Sequence, residues 1–277
     1  MPAASAAYDA LPLPFPPGQG RSLTLMKPVA EQRSLTVAWC VPVTDFDQWA
    51  STKPDVVWRL LLQTRVDGGL AKALRAEGLI SGLDASVEEL TRSFALLSVS
   101  FDLTALGLKR WPEVVSALYA YLQLLRDRGV PRHVFSEARQ INALGFRYAE
   151  APEPQAFATS AAGTLPFYAP NKWLTGPALL SDGAATEPLV AALLEATASP
   201  DDALMTLAAP KLPGKTPLTE PIYGTKHGTL DVSAQAAAWR QARPLAGLAL
   251  PTPNRFLPTN LAIKTPPRGG GGGGGAG

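Results

Sequence analysis

Residues 93–101 read Ser93-Phe94-Ala95-Leu96-Leu97-Ser98-Val99-Ser100-Phe101, and the run alternates. Phe94, Leu96 and Ser98 share one face of an extended chain, while Ala95, Leu97, Val99 and Phe101 share the other. Apolar residues on both faces predict a strand inside a sheet. Asp102-Leu103-Thr104 ends it. Trp111-Pro112-Glu113 then opens a helix, because proline at the first helical position gives up only an N–H that has no intrahelical partner there. Val114, Leu118, Leu122 and Leu125 recur at helical spacing, with Val115 and Tyr119 beside them, and that stripe is expected to cover the sheet. Gly129-Val130-Pro131 closes this helix and starts another. Its apolar side is read as Val134, Ala138, Ile141 and Tyr148, its wetter side as Glu137, Arg139 and Arg147.

Upstream, Leu35, Val37 and Trp39 alternate with Thr36, Ala38 and Cys40, so residues 23–26 and 35–41 are expected as two adjacent strands joined by a turn at 30–33. After Pro42 the chain reads as a loop through Asp45 and Asp47. Pro54 starts a helix ahead of Val56, Val57, Leu60 and Leu61, residues 63–69 break it, and Leu70, Ala73 and Leu74 begin the next, which stops at Gly78. Residues 79–83 read as a strand, and Asp84, Glu88 and Glu89 as a solvated hairpin loop. Downstream of Glu150, a helix is expected over 156–165, a polar and aromatic connection over 168–176, a helix from Glu187 carrying Leu189, Leu193 and Ala196, and a last strand over 204–208.

Composition bounds the function classes. The chain has 277 residues, 46% apolar and 17% charged, which suits a globular core, and no apolar run is long enough to span a membrane. A net charge of +2 without a basic stripe argues against nucleic acid as a partner. Cys40 is the single cysteine, so no intrachain disulfide can form, and a buried, inert thiol in a reducing compartment is expected. Residues 1–20 contain a proline-broken run and no arginine, which makes a poor signal or transit peptide and reads as a disordered Pro-rich linker. The compartment expected is the cytoplasm. Residues 265–277 read as a flexible glycine-rich tail, leaving 21–264 as one domain.

Several wordings in this chain resemble the insulinase family of zinc metallopeptidases, and in particular the family's second, non-catalytic domain. They are Asp102-Leu103-Thr104 with Gly107-Leu108, Tyr121-Leu122 to Leu125-Arg126, Val134-Phe135, Asn142-Ala143 and Phe146-Arg147-Tyr148. Near the end, Ile222-Tyr223-Gly224-Thr225 and Leu250-Pro251 with Asn254-Arg255-Phe256 and Pro258-Thr259-Asn260-Leu261 continue the resemblance. It implies an α+β fold: a two-layer sandwich with a mixed, mainly antiparallel sheet and helices on one face. It also implies that the linker is one that follows a first domain in the family. Thr64-Arg65-Val66-Asp67-Gly68-Gly69 stands where the family shows His-Glu-Gly-Pro-Gly-Ser, so the turn is expected to survive at Gly68 without the family's polar contacts.

Chemistry is sparse. The family's catalytic domain needs His-x-x-Glu-His, and here His133 and His227 stand far apart with no second ligand at metal spacing. No cofactor is expected in this chain. The zinc implied by the resemblance belongs to the family's catalytic domain. His133 reads as a surface cap residue, His227 as a turn residue, and Gly68-Gly69 as helix punctuation rather than a phosphate cradle. There is no Gly-x-Ser-x-Gly elbow for a serine nucleophile. What the resemblance adds is binding: Leu83, Asp84, Ala85, Ser86 and Val87 match an exosite strand on which a peptide substrate adds as a further strand. That mode depends on backbone groups, so alanine and serine in place of the family's two glycines still allow a strand but hinder close backbone approach. The residues themselves read equally as an ordinary edge strand blunted by Asp84 and Glu88. The implied partners are peptide substrates and other insulinase-type domains or a catalytic subunit, with no membrane and no nucleic acid. The alternative is a stand-alone degenerate subunit that serves as an interaction module.

Overall fold

The computed structural model describes residues 13–15, 18, 20–181, 183–242, 245–258 and 260–262. The elements are β1 (Ser22–Lys27), β2 (Ser34–Pro42), α1 (Phe46–Thr52), α2 (Pro54–Gln63), α3 (Leu70–Ala76), β3 (Ile80–Leu90), β4 (Phe94–Leu103), α4 (Ala105–Lys109), α5 (Trp111–Arg128), α6 (Arg132–Arg147), α7 (Pro154–Thr164), α8 (Gly183–Ala196), β5 (Leu204–Ala208), β6 (Leu218–Thr219), β7 (Lys226–Asp231) and α9 (Ser233–Trp239). The strands form one sheet in the order β3-β4-β2-β5-β1-β7-β6. All neighbours are antiparallel except β1 and β5, which run parallel.

Alternation assigns the two faces. Leu23, Leu25, Leu35, Val37, Trp39, Leu97, Val99, Phe101 and Leu207 are buried, and the helices pack over them. The opposite face carries a polar row in direct register across six strands: Asp84, Ser100, Thr36, Thr206, Thr24 and Thr229. Helices on one face of a mixed, mainly antiparallel sheet make the two-layer α+β fold. Beneath the helices a chain of aromatic contacts ties the layers: Trp39 meets Trp58 and Tyr119 edge to face at 6.2 and 6.3 Å, and Tyr119 stacks on Trp239 at 6.4 Å. Trp239 donates its indole N–H to the Pro112 carbonyl at 2.9 Å, which fastens α9 to the start of α5.

Several expectations are corrected. The first two strands are not neighbours, because β5 lies between them, so the sheet draws its middle from both ends of the chain. Nor is β5 the last strand: the β6–β7 hairpin and α9 follow. Asp45 is a helix cap rather than loop, its carboxylate accepting from Gln48 N–H to open α1. Asp84, Glu88 and Glu89 lie within β3, and the hairpin turn comes after Leu90. The buried side of α6 stops at Ala138, and Ile141 and Tyr148 are exposed. Pro188 lies inside α8, which opens at Gly183 rather than at Glu187, so the helix forgoes one intrahelical N–H there. His227 is paired in β7 with Met26, not in a turn. Cys40 is half buried on the open face of the sheet, where burial pushes its thiol pKa up. The expected glycine-rich tail and most of the expected linker lie outside the described residues.

Candidate functional site

The outer margin of β3 is where backbone hydrogen-bonding capacity is left over. Within β4 the backbone groups alternate sides. Leu103 N–H donates to Arg33 at 2.8 Å and the Ser93 carbonyl just before β4 accepts from Val43, so odd-numbered residues there turn toward β2. Thr104 N–H donates to Leu79 and the Phe94 carbonyl accepts from Thr91, so even-numbered residues turn toward β3. Ser100 and Ser98 stand opposite Asp84 and Ser86, which therefore direct their N–H and C=O groups inward. Leu83, Ala85 and Val87 direct theirs outward, along a margin that no described strand covers. The five residues singled out from the sequence are thus contiguous in one strand, framed by register shifts at Ile80/Gly82 and Val87/Glu89.

Their side chains divide by face. Ala85 is buried, and Leu83 and Val87 pack against the core from half-buried positions. Asp84 is exposed on the other face, and Ser86 and Ser98 both donate to Glu88 Oε1, at 2.7 and 2.6 Å. Those hydroxyls, Ser98 foremost, hold the Glu88 carboxyl below the usual carboxylate range. These bonds tie β3 to β4 through side chains as well as backbone.

Gln63, the last residue of α2, is the contact that the sequence did not announce. Its Nε2 donates to the Ala85 carbonyl at 2.6 Å and to Asp84 Oδ1 at 2.9 Å. Beside it lies a groove of about 660 Å³, lined among others by Arg65, Lys72, Asp84, Arg255 and Phe256. Lys72 is ion-paired with Asp67 there. Gly68 shapes the turn below the groove with φ at +87°, as the sequence led us to expect at that position, and its carbonyl accepts from Ala249 N–H. No histidine enters this site. Among the described residues no group of three or more His, Cys, Asp or Glu side chains is placed to hold a metal ion.

The comparisons with known proteins agree with this architecture. A family model described as "Peptidase M16 inactive domain" matches residues 5–142, and one described as "Middle or third domain of peptidase_M16" matches residues 146–269. Both models describe domains of M16 peptidases, the first of them an inactive one. The chain belongs to the M16, or insulinase, peptidase family. It is 29% identical over 238 residues to insulin-degrading enzyme-like 1, peroxisomal, of Arabidopsis thaliana, covering 86% of this chain and 24% of that protein. With insulin-degrading enzyme of Homo sapiens it shares 28% identity over 197 residues, covering 71% of this chain and 19% of that one. The chain therefore spans about a quarter or less of the curated relatives it matches. The crystal structure of pitrilysin superimposes with a TM-score of 0.78 at 22% identity, covering 89% of this chain and 26% of that one. No helix among the described residues is long and apolar enough to cross a membrane.

Proposed function

We propose that this chain acts as a non-catalytic wall of the substrate chamber of an M16-type peptidase, with residues 21–264 working as one unit. On this reading the margin of β3 at Leu83, Asp84, Ala85, Ser86 and Val87 binds a peptide segment as an added strand. The observation that carries it is the outward row of backbone groups at Leu83, Ala85 and Val87, at a spacing an extended chain matches. Packing supports a place in a larger assembly. Helix α7 buries none of its residues, and Phe146, Phe157 and Leu174 are exposed, as surfaces that meet further M16 domains or a partner subunit would be. Catalytic zinc belongs elsewhere in that assembly, so the chain alone hydrolyses no peptide. Metal analysis checks this: one tightly held zinc per chain, lost on His133→Ala or His227→Ala, would overturn it. The binding mode is tested by amide exchange at millimolar peptide. Added protection at Leu83, Ala85 and Val87 is the expected result, and protection confined to another region sinks it.

A further inference from the structure

The edge of β3 is already occupied at its centre, and the occupant comes from this chain. Ala85 turns its carbonyl outward, and the donor that meets it is the side-chain amide of Gln63 at 2.6 Å. A primary amide has the chemistry of a peptide group, so Gln63 satisfies Ala85 as the N–H of an incoming strand would. The same nitrogen is also held by Asp84 Oδ1 at 2.9 Å, which fixes its position against the strand.

We propose that Gln63 is a built-in plug of the peptide edge: its amide caps the Ala85 carbonyl in the free protein and must be displaced before a peptide can add to β3. The inference rests on the strand-addition reading above. Three features suit the side chain to this role. Its backbone is anchored, because the preceding Leu61 and Leu62 are buried and the Leu61 carbonyl accepts from Tyr121 Oη at 3.3 Å. Release therefore needs only rotation about side-chain bonds, which is fast on the timescale of binding. The neighbouring groove of about 660 Å³, which Gln63 itself lines, gives the displaced amide somewhere to go.

The plug also explains how a sheet margin with an unpaired carbonyl avoids promiscuous pairing. A free edge is a template for any extended chain, and natural edges are blunted by charge, bulges or covering groups. Here the cover is a single removable amide between the two register shifts that frame the strand. An incoming peptide must present its own N–H at Ala85 to replace what Gln63 gives up, so a segment with proline or an N-methylated residue at that position gains nothing from displacing it.

The test compares the unsubstituted chain with Gln63→Ala and Gln63→Met, the second keeping the apolar stem without the donor. The probe is a synthetic proline-free peptide rich in threonine and valine, followed by fluorescence anisotropy for affinity and by amide exchange for location. The expected result is protection at Leu83, Ala85 and Val87 in all three proteins, with both variants binding about tenfold more tightly, as loss of the competing hydrogen bonds predicts. Equal or weaker affinity in both variants, with protection still at β3, overturns the plug and leaves strand addition standing. Protection elsewhere, or none at saturating peptide, overturns strand addition and the plug with it.

Discussion

Lys53 Nζ donates to the carbonyl oxygen of Leu179 at 2.9 Å, across more than a hundred residues of chain. The same ammonium donates to the carbonyls of Ala50, at 2.8 Å, and Gly176, and it lies over the Tyr168 ring. All three N–H donors of a buried lysine are thus spent on backbone oxygens, which clamps residues 165–181 onto the junction of α1 and α2. Lys53→Met is expected to release that segment, at a cost of about 1–3 kcal/mol. Limited proteolysis checks it: cleavage between residues 165 and 181 should appear in the variant well before the rest of the chain is cut.

The same lysine sets a pH dependence. Burial pushes its pKa down from 10.5 to about 8. Between those values Lys53 is neutral when folded and charged when unfolded, so unfolding takes up a proton and stability rises with pH. Below pH 8 the group is charged in both states and contributes no slope. Measured against Lys53→Met by urea denaturation, the unsubstituted chain should gain stability from pH 8 toward 10.5. A flat difference across that window would show that the charge is not sequestered.

Asp201 supplies the opposite limb. Its carboxylate accepts from Arg240 Nε at 2.8 Å and from Arg21 Nε at 3.3 Å, joining the entry of β1 to the end of α9. Those bonds, Arg240 first, hold its carboxyl below the ordinary value of 3.8. The folded pKa is depressed, so the stabilisation is complete above the unfolded value and is lost as pH falls through the folded one. The arginines are well exposed, which limits the effect to roughly 0.5–1 kcal/mol. Asp201→Asn should cost about that much at neutral pH, and the difference should vanish in acid.

How far these features can be read from sequence depends on whether they are local. The β2 and β4 alternations and the α5 stripe are periodic along the chain, and both strands and the helix form where that periodicity places them. The insertion of β5 between β1 and β2 has no local signature, since alternation states which face is buried but not which strand is the neighbour. In β3 the charges at Asp84 and Glu88 obscured a strand whose inward residues, Leu83, Ala85 and Val87, alternate with them throughout. The polar members face open solvent, where charge is tolerated. Gln63 carried no signal at all, because its meaning comes from a helix end meeting a sheet edge.

Gly68 offers a test of the turn beneath the groove. Its φ of +87° is strained for any residue with a Cβ, and an added Cβ would sit 2.8 Å from the Leu250 carbonyl oxygen and 2.9 Å from that of Ala249. Gly68→Ala should therefore cost about 2 kcal/mol or more and push residues 249–252 away from the 64–69 turn. The expected readout is faster exchange of the Ala249 amide, which donates to Gly68. Gly78→Ala, also at positive φ but with open space around it, should show the backbone strain without the displacement.

The direction of backbone groups along β3 makes the last prediction a paired one. Ala85 points its N–H outward, so proline there removes a donor that a peptide would use while leaving the β3–β4 ladder intact. Ser86 points its N–H toward Ser98, so proline at that position breaks the ladder itself. Ala85→Pro is expected to weaken peptide addition by about 1 kcal/mol or more, from the lost hydrogen bond alone. Its own stability should fall by no more than about 1–2 kcal/mol, the cost of fitting ring carbons into a packed site. Ser86→Pro should lose stability first, by about 3 kcal/mol, and bind poorly only because the strand detaches. Asp84→Asn completes the set, removing one exposed charge and flattening the salt dependence of binding rather than abolishing it. If Ala85→Pro binds peptide as tightly as the parent while remaining folded, the peptide does not use the outward groups of β3.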